Sequence, residues 1–477
     1  MLYPLLCLYC FFVGLNYITV TMTMSPLTTK CLVYWLLRPL YAILFEYNKL
    51  WGSASMDNVL CNDRIDLRFE STKNILKSIK SALYYFSLIC FLLHRLLFNV
   101  TVWSNHFYKF AVFRESFRDY YINDLYLIIF ACIIISFFVY KPNIPLILFF
   151  ATLIFSGKQM YIHNEDVYMY LVMLLLVAAY KEDCRKIFIV VLTYNLSSLL
   201  ITVIASQTGV IENIIELGRD REFLGYTWTT TPVMIFAYSV FMYGVLRKGK
   251  FNIFEYSIIS VINVWFFIKT NTRFAFLIVF LYLFCIWLTN NTIDLKGRLV
   301  LILERSAVAL PWICFAFIYG ISMAFDENNS VMVTLNRLLS NRLRQCQYSI
   351  LKYGLLPWGQ PITWVKTTSA TADNPATYVD TAYLQTLLKF GFMSIILLLA
   401  VYSYCLYKSF KKKNYIFALA FLTVMVFGLT EQQMFWFEYD VLFMVAFANW
   451  DNLTRSRSNR VKPSPVCHEN EQSESTV

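Results

Sequence analysis

Apolar blocks of about 15–25 residues recur along the whole chain, separated by short polar connections. Each has the length of a helix that crosses a hydrocarbon core of about 30 Å, where every backbone amide must be paired within the protein. No stretch shows the period-two alternation that a membrane β-barrel requires. At 58% hydrophobic and 15% charged residues, with a mean hydropathy of +0.54, the chain is too apolar for a water-soluble domain. The expected fold class is an all-α polytopic integral membrane protein.

Spanning segments are expected at 1–20, 30–46, 82–103, 124–140, 143–157, 166–180, 186–205, 223–246, 252–268, 272–289, 307–324, 384–407, 415–430 and 433–450. That makes about 14 transmembrane helices, with a range of about 11–14. The range reflects 82–103, which contains His94 and Arg95, and 143–157, which is short and proline-flanked. The first run lacks a basic leader and an A-x-A site, so it is expected to be a retained helix. No repeat of solenoid period is found.

The formal charge of +11 suits topogenic Lys and Arg better than nucleic-acid binding. A cytoplasmic N-terminus places Lys181/Arg185/Lys186, Arg247/Lys248/Lys250, Lys296/Arg298, Lys408/Lys411/Lys412/Lys413 and the basic tail inside. The expected organisation then has five parts. An N-terminal membrane region, 1–123, has a topology the residues leave open and carries a cytoplasmic segment at 47–80. Central transmembrane helices occupy 124–324, a large extracytoplasmic loop 325–383, and C-terminal transmembrane helices 384–450. A disordered cytoplasmic tail covers 451–477.

Twelve cysteines are scattered, mostly in apolar runs, and CLYC at 7–10 has redox spacing without a supporting fold. None of the four histidines pairs with Cys, Asp or Glu at ligand spacing, so neither a metal nor another cofactor is expected.

The polar interval 326–381 is the longest connection of the second half, and such loops usually serve recognition or chemistry. It holds a basic, helix-like stretch at 335–351, the turn-rich GLLPWGQP at 354–361, and YVDTAY at 378–383. Several cations oppose the positive-inside bias: Arg219 and Arg221 in GRDREFLGY, Lys269 and Arg273 in KTNTRF, and Arg337, Arg342 and Arg344 in LNRLLSNRLRQ. On one continuous helix Arg337, Asn341 and Arg344 share a face, opposite a stripe of Leu335, Leu339 and Leu343. Arginine's planar fork grips phosphate oxygens at any working pH, so three such segments suit a diphosphate at the lipid–water boundary. Headgroup contact, snorkelling and ion pairs with Asp220 or Glu222 are the alternatives. Trp358 offers an indole face for a sugar or a membrane anchor. Asp380 is placed either as a helix N-cap or as a general base. His163 and His106 read as solvated loop residues, and Glu431 as a boundary polar residue that helps organise the site.

The order of these features resembles the Wzy-type bacterial polysaccharide polymerases, which make O-antigen, capsule or exopolysaccharide and are related to O-antigen ligases and GT-C membrane glycosyltransferases. The resemblance runs from about residue 113 to 451 and rests on GRDREFLGYTWTTTP before a helix, TNTR opening another, then LNRLLSNRLRQCQYSILKYG, PWGQP and VDTAYLQTLLKFG in one external loop. The first 110 or so residues carry no recognised pattern. The resemblance implies an inverting, metal-independent glycosyltransferase of the cytoplasmic membrane. It would polymerise undecaprenyl-diphosphate-linked oligosaccharide repeat units at the outer face. Asp380 and Arg273 are then the catalytic candidates. Arg219, Arg221, Arg337, Arg342 and Arg344 would hold the diphosphate, with Trp358 and Tyr383 as further substrate contacts. Donor and acceptor lipid-linked oligosaccharides and membrane lipids are the implied partners, with a repeat-unit flippase and a chain-length regulator as further candidates and no nucleic acid. The rival readings are a polymer ligase, a flippase or exporter of the same lipids, and a structural or sensory membrane protein.

Overall fold

The computed structural model describes residues 59–103, 111–216, 220–291, 298–339, 341–365, 371 and 375–454. The chain divides into two units, Met1–Ile75 and Leu76–Val477. Within the described residues, the first unit is helical from Val59, and the second holds the helical bundle with its long loop.

Among the described residues the protein is all-α apart from one two-stranded ribbon. Helices α1 (Val59–Arg95), α2 (Ala111–Tyr140), α3 (Ile144–Asn164), α4 (Tyr168–Ala178) and α5 (Cys184–Gln207) lead to the ribbon, β1 (Ile215–Glu216) paired antiparallel with β2 (Arg221–Glu222). Helices α6 (Thr231–Leu246), α7 (Ile253–Thr270), α8 (Arg273–Asn291) and α9 (Arg298–Met323) come next. The long loop carries α10 (Ser330–Leu338) and α11 (Arg342–Tyr353), and then come α12 (Ala382–Phe390), α13 (Phe392–Lys411), α14 (Tyr415–Phe427) and the short α15 (Asp451–Thr454).

Among the described residues six helices are long and apolar enough to cross a membrane, and five shorter apolar ones accompany them. Every residue of α4 is buried, as is nearly all of α6, so both form the centre of the bundle. On α7, Ile253, Phe254, Val261 and Ile268 are left exposed. An apolar outside around a packed inside is what a lipid solvent permits. Polar side chains start the helices where the apolar runs begin. Asp183 caps α5, Asn252 and Glu255 form a reciprocal capping box on α7, and Asn414 caps α14.

The passes alternate between two ends. At one, Lys80 pairs with Glu182 at 2.7 Å, Lys412 pairs with Asp451 at 2.8 Å, and Lys408 Nζ donates to the carbonyls of Ala446 and Ala448. This lysine-rich end also gathers Lys181, Arg247 and Lys413. At the other, Val102 and Thr227 exchange backbone bonds with Gly225 and Val100, Lys269 pairs with Glu222, and Ala382 N donates to Gly428 O. The loop 326–381 belongs to this second end.

Several expected segments take another form. The span expected at 433–450 is not a helix: short 3-10 turns at Gln432–Phe435 and Phe443–Val445 punctuate an irregular, almost wholly buried run. Irregular backbone at this depth is tolerated where protein surrounds it and satisfies its polar groups. Tyr402 Oη donates to Met434 O, Phe437 N donates to Tyr168 Oη, and Leu442 N to Asp440 Oδ1. The span expected at 384–407 begins at Ala382 and breaks at Gly391, whose φ is +86°. A Cβ there would lie 2.4 Å from Pro357 O, because PWGQ packs against the α12–α13 corner. The helix expected at 335–351 is two helices, parted at Asn341, which sits in the left-handed region at φ +66°. The short segment at 143–157 is instead a full-length helix, α3. The segments 1–20, 30–46 and 47–58 and the tail from 455 lie outside the described residues.

Candidate functional site

Asparagine tolerates a left-handed backbone where a branched or bulky residue resists it, and this turn re-aims everything after it. Asn336 fixes the turn: its Nδ2 donates to Asn341 Oδ1 and its Oδ1 accepts from Arg344 N, both at 3.2 Å. As a result Arg342, at the start of α11, turns inward. Its Nε donates to Asp380 Oδ2 at 2.9 Å, and its Nη2 lies 3.5 Å from Glu431 Oε1. The three side chains come from the loop, the segment ahead of α12 and the turn after α14. They are 23%, 34% and 10% exposed respectively, so a partly covered ion cluster faces the loop end.

Burial pushes the Glu431 carboxyl up to about 7, and the nearby Asp380 charge adds to this, while Arg342 and then Arg221 pull it back. Burial alone would lower Arg342, but Glu431 and Asp380 outweigh it and hold the guanidinium above its ordinary value. One of two clustered carboxyls is therefore poised to exchange a proton near neutrality.

The α7–α8 connection adjoins this cluster electrostatically through Arg221. Arg221 Nε donates to Thr270 O at 2.8 Å, Nη2 to Asn271 O at 3.2 Å, and Nη1 lies 3.4 Å from Glu216. Asn271 closes α7 in a left-handed conformation, and Arg273 opens α8 two residues on, exposed at the surface. Arg342, Asp380 and Arg221 thus all act on Glu431, and Arg221 braces the turn that presents Arg273.

The other expected residues lie elsewhere. Arg219 lies outside the described residues. Arg337 is exposed on α10, and Arg344 is exposed and pairs with Glu327 at 3.0 Å. The two do not share a helix face, because the turn at Asn341 separates their helices. Tyr383 is fully buried, with its hydroxyl donated to Met425 O at 3.0 Å, so it packs the α12–α14 contact. Trp358 packs edge-on against Phe155, with ring centroids 5.9 Å apart. Tyr378, two residues before Asp380, instead carries the aromatic contacts there, with the rings of Trp228 and Trp364 against its own.

Two buried charge groups are new. Arg95 pairs with Glu438 at 2.6 Å, Tyr168 Oη donates to Glu438 Oε2 at 2.9 Å, and the guanidinium lies over Tyr168 and Trp436. Asp440 is fully buried, with the Tyr402 hydroxyl and Leu442 N as its partners. The available signal was a lone charge in an apolar run, which needs a partner in another run. Arg95 fits that description, and Glu438 and Asp440 stand together as the acidic pair of the run 433–450. Among the described residues no group of three or more His, Cys, Asp or Glu is arranged to hold a metal ion. No protein-family model matches this chain, and neither a curated protein nor a solved structure matches it.

Proposed function

We propose that this protein is a membrane glycosyltransferase that polymerises undecaprenyl-diphosphate-linked oligosaccharide repeat units, working at the loop end of the bundle. The observation that carries the reading is the Arg342–Asp380–Glu431 cluster, with Arg221 bracing the neighbouring turn and Arg273 just after it. It combines what glycosyl transfer from a lipid diphosphate demands: a carboxylate able to take a proton near neutrality, and fixed cations beside it. An acceptor hydroxyl attacks the anomeric carbon, its proton passes to Glu431, and the bond to the diphosphate breaks with the electron pair leaving on oxygen. Arg273 and Arg221 stabilise that charge, while Arg342 positions Asp380 and Glu431 relative to each other.

The reading includes a topology in the cytoplasmic membrane of a bacterium. The lysine-rich end lies in the cytoplasm and the loop outside, in a protein of about fourteen passes that is GT-C-like in plan. Giving the full-length protein in lipid nanodiscs one lipid-linked repeat unit tests it. A ladder of products is expected, and Arg273→Ala should abolish the ladder without removing the protein from the membrane. A single transfer to a foreign acceptor would mark a ligase instead, and wild-type chain lengths from Arg273→Ala would defeat the proposed site.

The interior charges Arg95, Glu438 and Asp440 favour a second reading, an exporter of the same lipids, since charges within a bundle commonly line a transit path. Transbilayer movement of fluorescent lipid-linked sugar in vesicles, without any product ladder, would establish that reading over the first.

A further inference from the structure

The aromatic residues of the loop end form a connected ridge. Tyr378 stands in the middle, with the ring centroids of Trp228 and Trp364 at 5.8 and 5.9 Å, and Tyr353 continues the row 6.1 Å from Trp364. These rings come from the segment before α6, from α11 and from both strands of the irregular loop. Trp228 is 38% exposed, and Trp364 and Tyr378 are half-buried. Polar groups flank the rings. Tyr378 Oη donates to Gln432 Oε1 at 2.8 Å, the Gln385 amide reaches the same oxygen, and Asp380 lies two residues along the chain.

Planar apolar faces beside amide and carboxylate groups match a pyranose, which offers C–H groups to a ring face and hydroxyls around its rim. Tryptophans that only anchor the protein at the headgroup level need no shared tyrosine hydrogen-bonded to an amide between them. The ridge also leads to the ion cluster, since Tyr378 and Asp380 are on the same short segment and Gln432 follows Glu431. A saccharide whose reacting sugar sits at Glu431 would lay its next residues on these rings. We infer that Trp228, Tyr378 and Trp364 form the oligosaccharide-binding surface that holds the pyranose rings of the lipid-linked substrate beside Glu431, an assignment that rests on the polymerase reading.

The test uses full-length protein in nanodiscs and two probes, undecaprenyl diphosphate without sugar and the lipid-linked repeat unit extracted from producing cells. The wild type should bind the sugar-bearing lipid more tightly. Trp228→Ala and Trp364→Ala should each weaken that binding by up to about tenfold while leaving the sugar-free lipid unaffected, and Trp228→Phe should keep most of it. The unchanged affinity for undecaprenyl diphosphate reports that the variants are folded. Both alanine variants binding the two lipids as the wild type does, or losing both in parallel as membrane anchors would, overturns the ridge while leaving polymerisation standing. A wild type that neither prefers the sugar-bearing lipid nor makes polymer removes the polymerase reading and the ridge with it.

Discussion

Glu431→Gln should make the protein more stable at pH 8 and inactive. The substitution keeps shape and hydrogen bonding but removes the charge. In the wild type, burial raises the carboxyl from an ordinary 4.5 to about 7. Below pH about 4.5 both folded and unfolded chains hold the proton, and the group imposes no penalty. Between about 4.5 and 7 the unfolded chain releases it while the folded chain keeps it, so stability falls as pH rises. Above about 7 both are ionised and the loss is complete. A difference of about 2.5 pKa units corresponds to about 3 kcal/mol, an upper bound because Arg342 shares the field with Asp380. The Gln variant lacks this drop, and Arg342 keeps its 2.9 Å bond to Asp380, so a net gain of about 1–3 kcal/mol at pH 8 is expected. Thermal unfolding in detergent, followed by tryptophan fluorescence from pH 5 to 8.5, should show a falling midpoint for the wild type and a flatter profile for Glu431→Gln. Product gels from the same preparations should show no polymer from the variant, and wild-type activity should rise to half its maximum near pH 7. An identical pH slope in the variant would place the titrating group elsewhere. Full polymer synthesis would remove Glu431 from the reaction.

Arg342→Ala strips the cation from two carboxylates at once. A loss of about 2 kcal/mol is expected after discounting the third-exposed Asp380, and the loss should shrink when Glu431→Gln is added, as a double-mutant cycle by thermal unfolding would show. Arg221→Ala removes two charged hydrogen bonds to the α7–α8 turn and should cost about 1–3 kcal/mol, whereas exposed Arg273→Ala should leave the unfolding midpoint within about 1 °C while abolishing polymer. Tyr383→Phe should cost about 1 kcal/mol through the lost bond to Met425 O and leave product length unchanged; an altered chain length would return Tyr383 to the substrate. A membrane-impermeant maleimide should label Leu338→Cys on intact cells and reach Lys250→Cys only after permeabilisation, with labelling of the wild type subtracted; the reverse pattern would invert the topology.

The helical membrane class was legible because hydrocarbon makes a local demand: each pass needs a long apolar run, and among the described residues most such runs are helices near the expected bounds. That demand also produced the main error. The run 433–450 is apolar because protein surrounds it, and a segment buried on every side carries no periodicity to tell helix from irregular chain. Its backbone is satisfied by Lys408, Tyr402 and Tyr168 from other elements, a condition no local pattern records.

The site divides the same way. By itself the sequence determined which segments bring charge to the loop end, because cations against the membrane bias stand out singly: Arg221, Arg273, and the group at 337–344. Which arginine meets a carboxylate was decided in three dimensions. One left-handed residue, Asn341, rotates α11 so that Arg342 enters the cluster while Arg337 and Arg344 remain at the surface. Only the fold brings Glu431 from 89 positions along the chain to within ion-pair distance of Arg342, Asp380's partner, and buries it enough to change its proton affinity. A residue's type and neighbours in sequence set what its side chain can do, whereas its charge state and partners depend on solvent exclusion and on groups the chain brings from afar.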